Sequence, residues 1–226
     1  MEHELKFAVD ERLIPRVLAE LQARCRPDPV HPAGRVTSVY FDTCDWVSVQ
    51  EKRNSDYLKA KVRARWYTTR EAPRPAGPVF LELKRREGST RGKLRIETDF
   101  SAAEMAGLPL EDPRWLELSR LLEDVGESTR GDLLPAFELA YARRRFVEPV
   151  SGARVSLDLD IRVPRTNALR LPPGSRQPLP QAVLELKGSL DGLPAGLARL
   201  GELGLRRGSF SKYAQCFDRI TLGRAA

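Results

Sequence analysis

The sequence predicts an α+β protein in which an antiparallel β-sheet closes into a barrel, with helices flanking it. Segments of alternating apolar and charged residues recur along the chain, a pattern typical of strands with one buried face. Most of these segments are joined by short connections, which favour antiparallel pairing over β-α-β winding. The number of strands favours closure, because a barrel leaves no exposed strand edge.

The first two elements are predicted from a change in the spacing of apolar residues. Residues 2–9 alternate as a strand, whereas 10–25 place apolar residues at helical spacing. Asp10 stands where it can cap that helix, and Pro15 lies in the first turns, where proline disrupts a helix least. We therefore expect a strand followed directly by an amphipathic helix.

The rest of the chain is predicted to be mostly strands, with two interruptions. Strands are predicted over 35–43, 57–67, 135–149, 152–163 and 181–189, and a hairpin over 79–97. Two short helices, capped by Ser101 and Asp112, interrupt the strands. Further helices are predicted over 193–205 and 209–220. We expect a single domain over 1–226 with a helical insertion at about 101–125.

Composition limits the possible functions. The 226 residues carry a net charge of +7, which favours an anionic partner without identifying it. The three cysteines form no CxxC pair, and the opening MEHELK is charged, unlike a signal peptide. No apolar run approaches the roughly 20 residues that span a bilayer. We expect a cytoplasmic protein with reduced thiols and no membrane segment in this chain; a membrane partner stays an open question.

In each predicted strand the strong charges share one parity and therefore one face of the sheet. One interpretation is an ordinary sheet with a solvated outer face, but few Ser, Thr, Asn or Gln dilute the charges. We favour an inward-facing surface whose excess cations are neutralised by a phosphate chain, with a divalent metal bridging carboxylates to phosphate. The charged positions are Glu2, Glu4, Lys6, Lys59, Lys61, Arg63, Arg65, Glu82, Lys84, Arg86, Lys93, Arg95, Glu97, Arg143, Arg145, Arg154, Asp158, Asp160, Arg162, Glu185 and Lys187.

Several motifs resemble those of one protein family. The opening Glu2-His3-Glu4-Leu5-Lys6 is similar to the ExExK signature of the triphosphate tunnel metalloenzymes, a CYTH-like superfamily. The continuation resembles the polyphosphate polymerase domain of the vacuolar transporter chaperone (VTC) branch. The matching pieces occur in order and cover nearly the whole chain: SVYFDT (38–43), KVRAR (61–65), LELK (81–84), GKLR (92–95), YARRRF (141–146), RVSLDLD (154–160), LELK (184–187) and SKY (211–213).

This resemblance implies a closed antiparallel eight-stranded β-barrel, a triphosphate tunnel, with Mn²⁺ or Mg²⁺ as cofactor. The implied catalytic residues are Lys6, Arg63, Arg65, Lys84 and Lys212. The implied phosphate-binding residues are Lys6, Lys61, Arg63, Arg65, Lys84, Lys93, Arg143, Arg154, Lys187 and Lys212. The main metal ligand would be Glu185, with help from Glu4, Glu82 or Asp158.

The reaction implied by the resemblance is ATP-dependent polyphosphate synthesis, with ATP or inorganic triphosphate or polyphosphate as partner. Hydrolysis of triphosphate stays open, because Glu2, Glu4 or Glu82 would be available to orient water. A tunnel that binds polyphosphate without turnover is the third alternative. Nucleic-acid binding has the least support, because it rests on charge alone, and we expect no specific nucleic-acid partner.

Other patterns are given structural interpretations. Residues 88–94, GSTRGKL, lack one residue between the glycines of a P-loop and have Leu94 where a P-loop needs Ser or Thr, so we predict a hairpin turn. Asp158 and Asp160 are either metal ligands or ion-pair partners of Arg154 or Arg162. Lys52, Arg53 and the arginines of 162–176 are predicted to lie on a solvated surface.

Overall fold

The computed structural model describes residues 3–69, 71–175 and 177–223. Its strands are β1 (His3–Asp10), β2 (Arg26–Pro27), β3 (Ala33–Asp42), β4 (Leu58–Thr68), β5 (Pro78–Glu87), β6 (Thr90–Ser101), β7 (Leu134–Val147), β8 (Arg154–Thr166) and β9 (Gln181–Gly188). Its helices are α1 (Ile14–Arg24), α2 (Val47–Arg53), α3 (Ala102–Gly107), α4 (Arg114–Asp124), α5 (Ala198–Glu202) and α6 (Lys212–Leu222). None of the described helices is long and apolar enough to cross a membrane.

The strands form one antiparallel sheet, and the prediction of a closed eight-stranded barrel is wrong. The sheet has nine strands in the order β1-β9-β8-β7-β3-β4-β5-β6, with β2 paired to β7 off this path. Within the described residues, β1 and β6 share no backbone pairing. Their side chains meet instead: Arg91 Nη1 of β6 lies 2.6 Å from Glu4 Oε2 of β1. Charged side chains of this kind protect strand edges without closing them.

The sheet nevertheless curls so that its charged face encloses a channel. Charges on β9 act on Lys84 of β5, although four strands lie between β9 and β5 in the sheet order. The opposite face is apolar and carries α1, α3, α4 and α5. Near β1, Val17 and Leu21 of α1 pack on Leu184 and Leu186. Because of this alternation, burying the apolar face turns the charged face inward.

A second outer core holds the helical insertion predicted at 101–125. Met105 of α3 and Trp115 of α4 pack with Trp66, Leu81 and Leu83 on the outer face of β4 and β5. All five are fully buried, and each large apolar side chain removed from water contributes about 1.5–3 kcal/mol. The insertion therefore covers the outside of the strands that carry the densest charge.

Helix α6 lies at one end of the channel, packed against β3, β7 and β8. The Tyr213 ring stacks against Tyr40 at a centroid separation of 4.8 Å and against Phe137 at 5.0 Å. Its hydroxyl donates to the buried Asp42 Oδ2 at 2.7 Å, while Ser211 caps the helix by accepting from Ala214 N. These contacts fix the first turn of α6, and with it Lys212, inside the sheet.

Several local predictions are corrected. Asp10 caps a short 3-10 turn over Glu11–Leu13, and the α-helix begins only at Ile14. Helix α2 was not predicted, because its sequence VSVQEKR contains β-branched valines and its N-cap, Trp46, makes no capping hydrogen bond.

Two arginines predicted to be solvated have structural roles instead. Arg165 Nε donates to Glu138 Oε2 at 2.8 Å. Arg170 stacks on Trp46 at 4.1 Å and donates to backbone carbonyls, including that of Leu134 at 3.1 Å. Both therefore tie the loop after β8 to the sheet.

Candidate functional site

The channel contains a row of three lysines that stand opposite one another. Lys61 of β4 is in register with Lys84 of β5, and Lys84 is in register with Lys93 of β6. Like charges placed directly opposite one another destabilise a sheet. Lys61 donates to Ser211 Oγ at 2.7 Å, and within the described residues no carboxylate lies within ion-pair distance of Lys61 or Lys84. The row is therefore suited to an external anion.

Enclosure and repulsion from neighbouring cations weaken the charge of Lys61 and Lys84. Burial, with the neighbouring cations Lys52 and Lys6 adding to it, lowers the pKa of Lys61 to about 8. Burial and the nearby Arg63 and Arg65 lower the pKa of Lys84 to about 7. Lys84 stays accessible to solvent in the open channel. An anionic ligand would favour the charged form of both side chains.

The next row holds a carboxylate surrounded by cations. Glu82 is 1% exposed, and its Oε2 accepts from Arg63 Nη2 at 2.6 Å and from Arg63 Nε at 2.8 Å. Arg65 Nη1 lies 3.6 Å from the same oxygen, and Lys93 Nζ lies 2.8 Å from Oε1. Burial opposes ionisation, but Arg63 and Arg65 outweigh it and hold the pKa of Glu82 well below its usual range. Glu82 thus orients the arginines.

A second buried carboxylate anchors helix α6. Asp158 is fully buried, and Arg143 donates to its two oxygens at 2.5 and 2.7 Å. Lys212 Nζ lies 2.6 Å from Asp158 Oδ2. Burial opposes ionisation here too, but Lys212 and Arg143 lower the pKa of Asp158. The partners of Asp158 are therefore Arg143 and Lys212, whereas the sequence suggested Arg154 or Arg162; Asp160 does pair with Arg162.

A third cluster joins β1 to β9. Lys6 Nζ lies 3.0 Å from Glu4 Oε1 and 3.5 Å from Glu185 Oε2. Lys187 Nζ lies 2.9 Å from Glu185 Oε1 and 3.7 Å from Glu4 Oε1. Burial disfavours ionisation of Glu185, but Lys6 and Lys187 outweigh it and hold the pKa of Glu185 well below its usual range. The two carboxylates share two lysines.

The channel opens into a cavity at the end away from α6. Its volume is about 540 Å³, and seven strands, β3 to β9, contribute to its wall. The wall includes Arg143, Arg145, Arg154, Glu185 and Lys187. A cavity of this size accommodates a small organic ligand, and its charged wall suits an anionic one.

The structure thus places the predicted site residues in three ion-paired clusters around the lysine row. The first holds Arg63, Arg65, Glu82 and Lys93; the second holds Arg143, Asp158 and Lys212; the third holds Glu4, Lys6, Glu185 and Lys187. Arg154 lines the cavity beside the third cluster. Glu2 lies outside the described residues.

The four predicted metal ligands are not gathered in one place. Within the described ranges, no group of three or more His, Cys, Asp or Glu residues is close enough to hold a metal ion by itself. Glu4 and Glu185 do fit a divalent cation, because they offer adjacent carboxylate oxygens beside the cavity. Mg²⁺ is usually bound by one or two carboxylates together with substrate phosphates. Glu82 and Asp158 instead form ion pairs with arginine and lysine side chains.

Some functional groups were missed by the sequence reasoning. The Tyr40 hydroxyl accepts from Arg63 Nη1 at 3.0 Å. The Tyr141 hydroxyl accepts from Arg65 and Arg143, each at 3.4 Å. Both tyrosines share the inward parity of their strands, and that parity was the signal that could have found them.

Comparison with known proteins agrees with this architecture. A candidate adenylate cyclase from Bacillus halodurans, 16% identical, superposes with a TM-score of 0.55 over 96% of this chain and 97% of that one. A second candidate adenylate cyclase, from Vibrio parahaemolyticus, is 13% identical, with a TM-score of 0.48 over 96% and 97% of the two chains. These likenesses concern the fold alone.

The family is defined by the sequence model. The model of the VTC domain matches residues 1–220, so this chain belongs to the VTC domain family. No curated protein gives a significant match to the chain.

Proposed function

We propose that the channel binds linear chains of phosphates and catalyses metal-dependent phosphoryl transfer, with ATP-dependent polyphosphate synthesis as its reaction. The observation that carries this proposal is the row Lys61–Lys84–Lys93, in which Lys61 and Lys84 have no carboxylate partner among the described residues, beside the row that holds Arg63. A phosphate chain supplies regularly spaced negative charge, and charge-assisted hydrogen bonds to Lys and Arg are strong. The proposal treats residues 1–226 as a single tunnel domain.

In this proposal the protein's contribution is positioning and charge neutralisation. Phosphoryl transfer requires little covalent chemistry from an enzyme. Lys6, Arg63, Arg65, Lys84 and Lys212 contact the phosphoryl group in transit. The flanking phosphates are held by Lys61, Lys93, Arg143, Arg154 and Lys187. A terminal oxygen of the acceptor chain attacks the γ-phosphorus of ATP, the bond to the bridging oxygen breaks, and ADP leaves with the electron pair.

Glu185 and Glu4 would hold the divalent metal, Mn²⁺ or Mg²⁺. When bound, such an ion supplies charge neutralisation at phosphate oxygens. Lys6 and Lys187 contact both carboxylates and reduce the repulsion between the two carboxylates when no metal is bound. Glu82 and Asp158 keep Arg63, Arg143 and Lys212 in place.

A second candidate is hydrolysis of triphosphate or polyphosphate. Glu4 favours it, because this second carboxylate beside Glu185 is partly solvent-exposed and could orient a water molecule. Non-catalytic binding of polyphosphate is the third candidate, and the carboxylate pair argues against it, because carboxylates weaken a plain polyanion trap.

One incubation separates the three candidates. The protein is mixed with ATP and Mn²⁺ or Mg²⁺, and the products are analysed for polyphosphate and for free phosphate. Polyphosphate supports the polymerase, free phosphate alone supports the hydrolase, and binding with neither product supports the binding module. Glu185→Gln should abolish turnover and leave tripolyphosphate binding largely intact. Glu97→Gln, which replaces an exposed carboxylate of β6, is the matched control and should retain full activity.

A further inference from the structure

Beyond the lysine row, a group of cations lies at the end of β4 opposite the cavity. Lys59 lies two residues before Lys61 on β4 and is in register with Arg86 of β5. Lys52 of α2 is close enough to contribute to the same field. We call Lys52, Lys59 and Arg86 the basic rim. From Lys59 to Tyr67, which lines the cavity, β4 extends over roughly 26 Å.

The basic rim carries charge that the fold does not neutralise. Within the described part of the chain, no carboxylate lies within ion-pair distance of its three members. Lys52 Nζ donates to Ser209 Oγ at 2.6 Å, and Arg86 Nε donates to the Gly88 carbonyl at 2.7 Å. Arg91, which is in register with Arg86, does have a partner, Glu4. The unpaired cations repel one another, which favours an external anion.

The rim is also electrostatically continuous with the channel. Burial, then Lys59, Arg86 and Lys6, lower the pKa of Lys52. Lys52 and Lys6 in turn help to lower the pKa of Lys61 in the lysine row. A negative charge placed at the rim would therefore favour protonation of the first lysines inside the channel as well.

We propose that the basic rim binds the part of a long linear polyphosphate that extends beyond the channel, so that the protein distinguishes long chains from triphosphate. This inference rests on the proposed function, because it requires phosphate in the channel. The row Lys59–Arg86 continues the spacing of the row Lys61–Lys84, and a uniformly charged chain contacts successive rows alike. Tyr57 is an exposed aromatic residue close to Gly88 and two positions before Lys59. Because nucleic-acid bases stack on exposed aromatic rings, the test must distinguish polyphosphate from single-stranded nucleic acid.

The test compares three probes on two charge-matched variants. The probes are tripolyphosphate, a long-chain polyphosphate and a single-stranded oligonucleotide, measured by calorimetry at several salt concentrations. The rim variant is Lys59→Ala with Arg86→Ala. The control is Arg16→Ala with Arg120→Ala, two exposed arginines of α1 and α4. If the alanine pair lowers the unfolding temperature, Lys59→Gln with Arg86→Gln, which keeps longer side chains, replaces it.

The expected result is specific to chain length. The rim variant should bind long-chain polyphosphate about tenfold more weakly, since two solvated ion pairs are lost, and tripolyphosphate within about twofold of wild type. The slope of log affinity against log salt should fall by about two for the long chain. The control should change neither affinity.

Other results would overturn the inference in distinguishable ways. If the rim variant and wild type bind the long chain equally, or if the rim variant loses affinity equally for both phosphate probes, the rim site is rejected and the proposed function stands. Loss of oligonucleotide binding without loss of long-chain binding would make the rim a nucleic-acid surface. Failure of wild type to bind either phosphate probe would reject the proposed function itself.

Discussion

Replacing Glu82 is the most direct test of the channel's electrostatics. Its carboxylate is 1% exposed and faces Arg63 at 2.6 Å and Arg65 at 3.6 Å. The side chains of these arginines are only 11% and 7% exposed. Glu82→Gln preserves size and removes the charge, so two enclosed guanidinium groups lose their counterion.

The magnitude follows from burial. Breaking a buried ion pair by removing one partner costs about 3–5 kcal/mol. Lys93 and Arg95 also approach Glu82, but their side chains are 45% and 38% exposed, and solvent-screened pairs contribute only about 0–1 kcal/mol each. The glutamine carbonyl can still accept one hydrogen bond. We therefore expect Glu82→Gln to lower the free energy of unfolding by about 3 kcal/mol.

The assay is urea unfolding with and without tripolyphosphate. Glu97→Gln replaces an exposed carboxylate of β6 on the same face of the sheet as Glu82 and should change stability by less than about 0.5 kcal/mol. Tripolyphosphate should stabilise Glu82→Gln more than wild type, because the ligand supplies the missing negative charge. If Glu82→Gln were as stable as wild type, Arg63 and Arg65 would already be compensated by solvent, and the description of an enclosed channel would be refuted.

Three further perturbations address the lysine row and helix α6. Burial lowers the pKa of Lys61 to about 8, so polyphosphate binding near pH 8 should be accompanied by proton uptake and should weaken as the pH rises further. Calorimetry in two buffers of different ionisation enthalpy measures the proton uptake, and zero uptake would contradict this prediction. The same shift makes the free protein more stable as pH rises from about 8 to 10.5, since the unfolded state then binds more protons. Asp158→Asn leaves Lys212 without its counterion and should cost about 3–5 kcal/mol, with hydrogen exchange accelerated in α6 beyond any change in β5; uniform acceleration would count against it. Tyr213→Phe removes the hydrogen bond to Asp42 and should lower unfolding stability by about 1–3 kcal/mol, a loss that urea unfolding would detect; unchanged stability would mean that this bond contributes nothing.

The alternation of charge in the sequence was enough to predict most strands and the face on which the site residues lie. It succeeded because the period of a strand is two and the apolar face had to be buried, as Val62, Ala64 and Trp66 are. The helical insertion was predicted for the same reason, because its apolar spacing differs from that of the strands around it.

Closure and ion-pair partners could not be predicted, because both depend on contacts between distant residues. Whether β1 meets β6 depends on the curl of the whole sheet, which no local pattern determines. The sequence left Asp158 as either a metal ligand or a partner of an arginine on its own strand, yet Arg143 and Lys212 reach it from β7 and α6. Arg170 was assigned to a solvated loop, although its planar donors satisfy carbonyls at the end of the sheet.

The unpaired border between β1 and β6 has a consequence for how a polymer would enter. Along the described part of this border, the two strands are held by the contact of Glu4 with Arg91, whose side chain is 57% exposed. An exposed ion pair of this kind contributes about 0–1 kcal/mol, so separating the strands there breaks no backbone hydrogen bond between them. Opening the channel along this border would let a chain enter from the side, so that a polymer with both ends blocked would not have to be threaded.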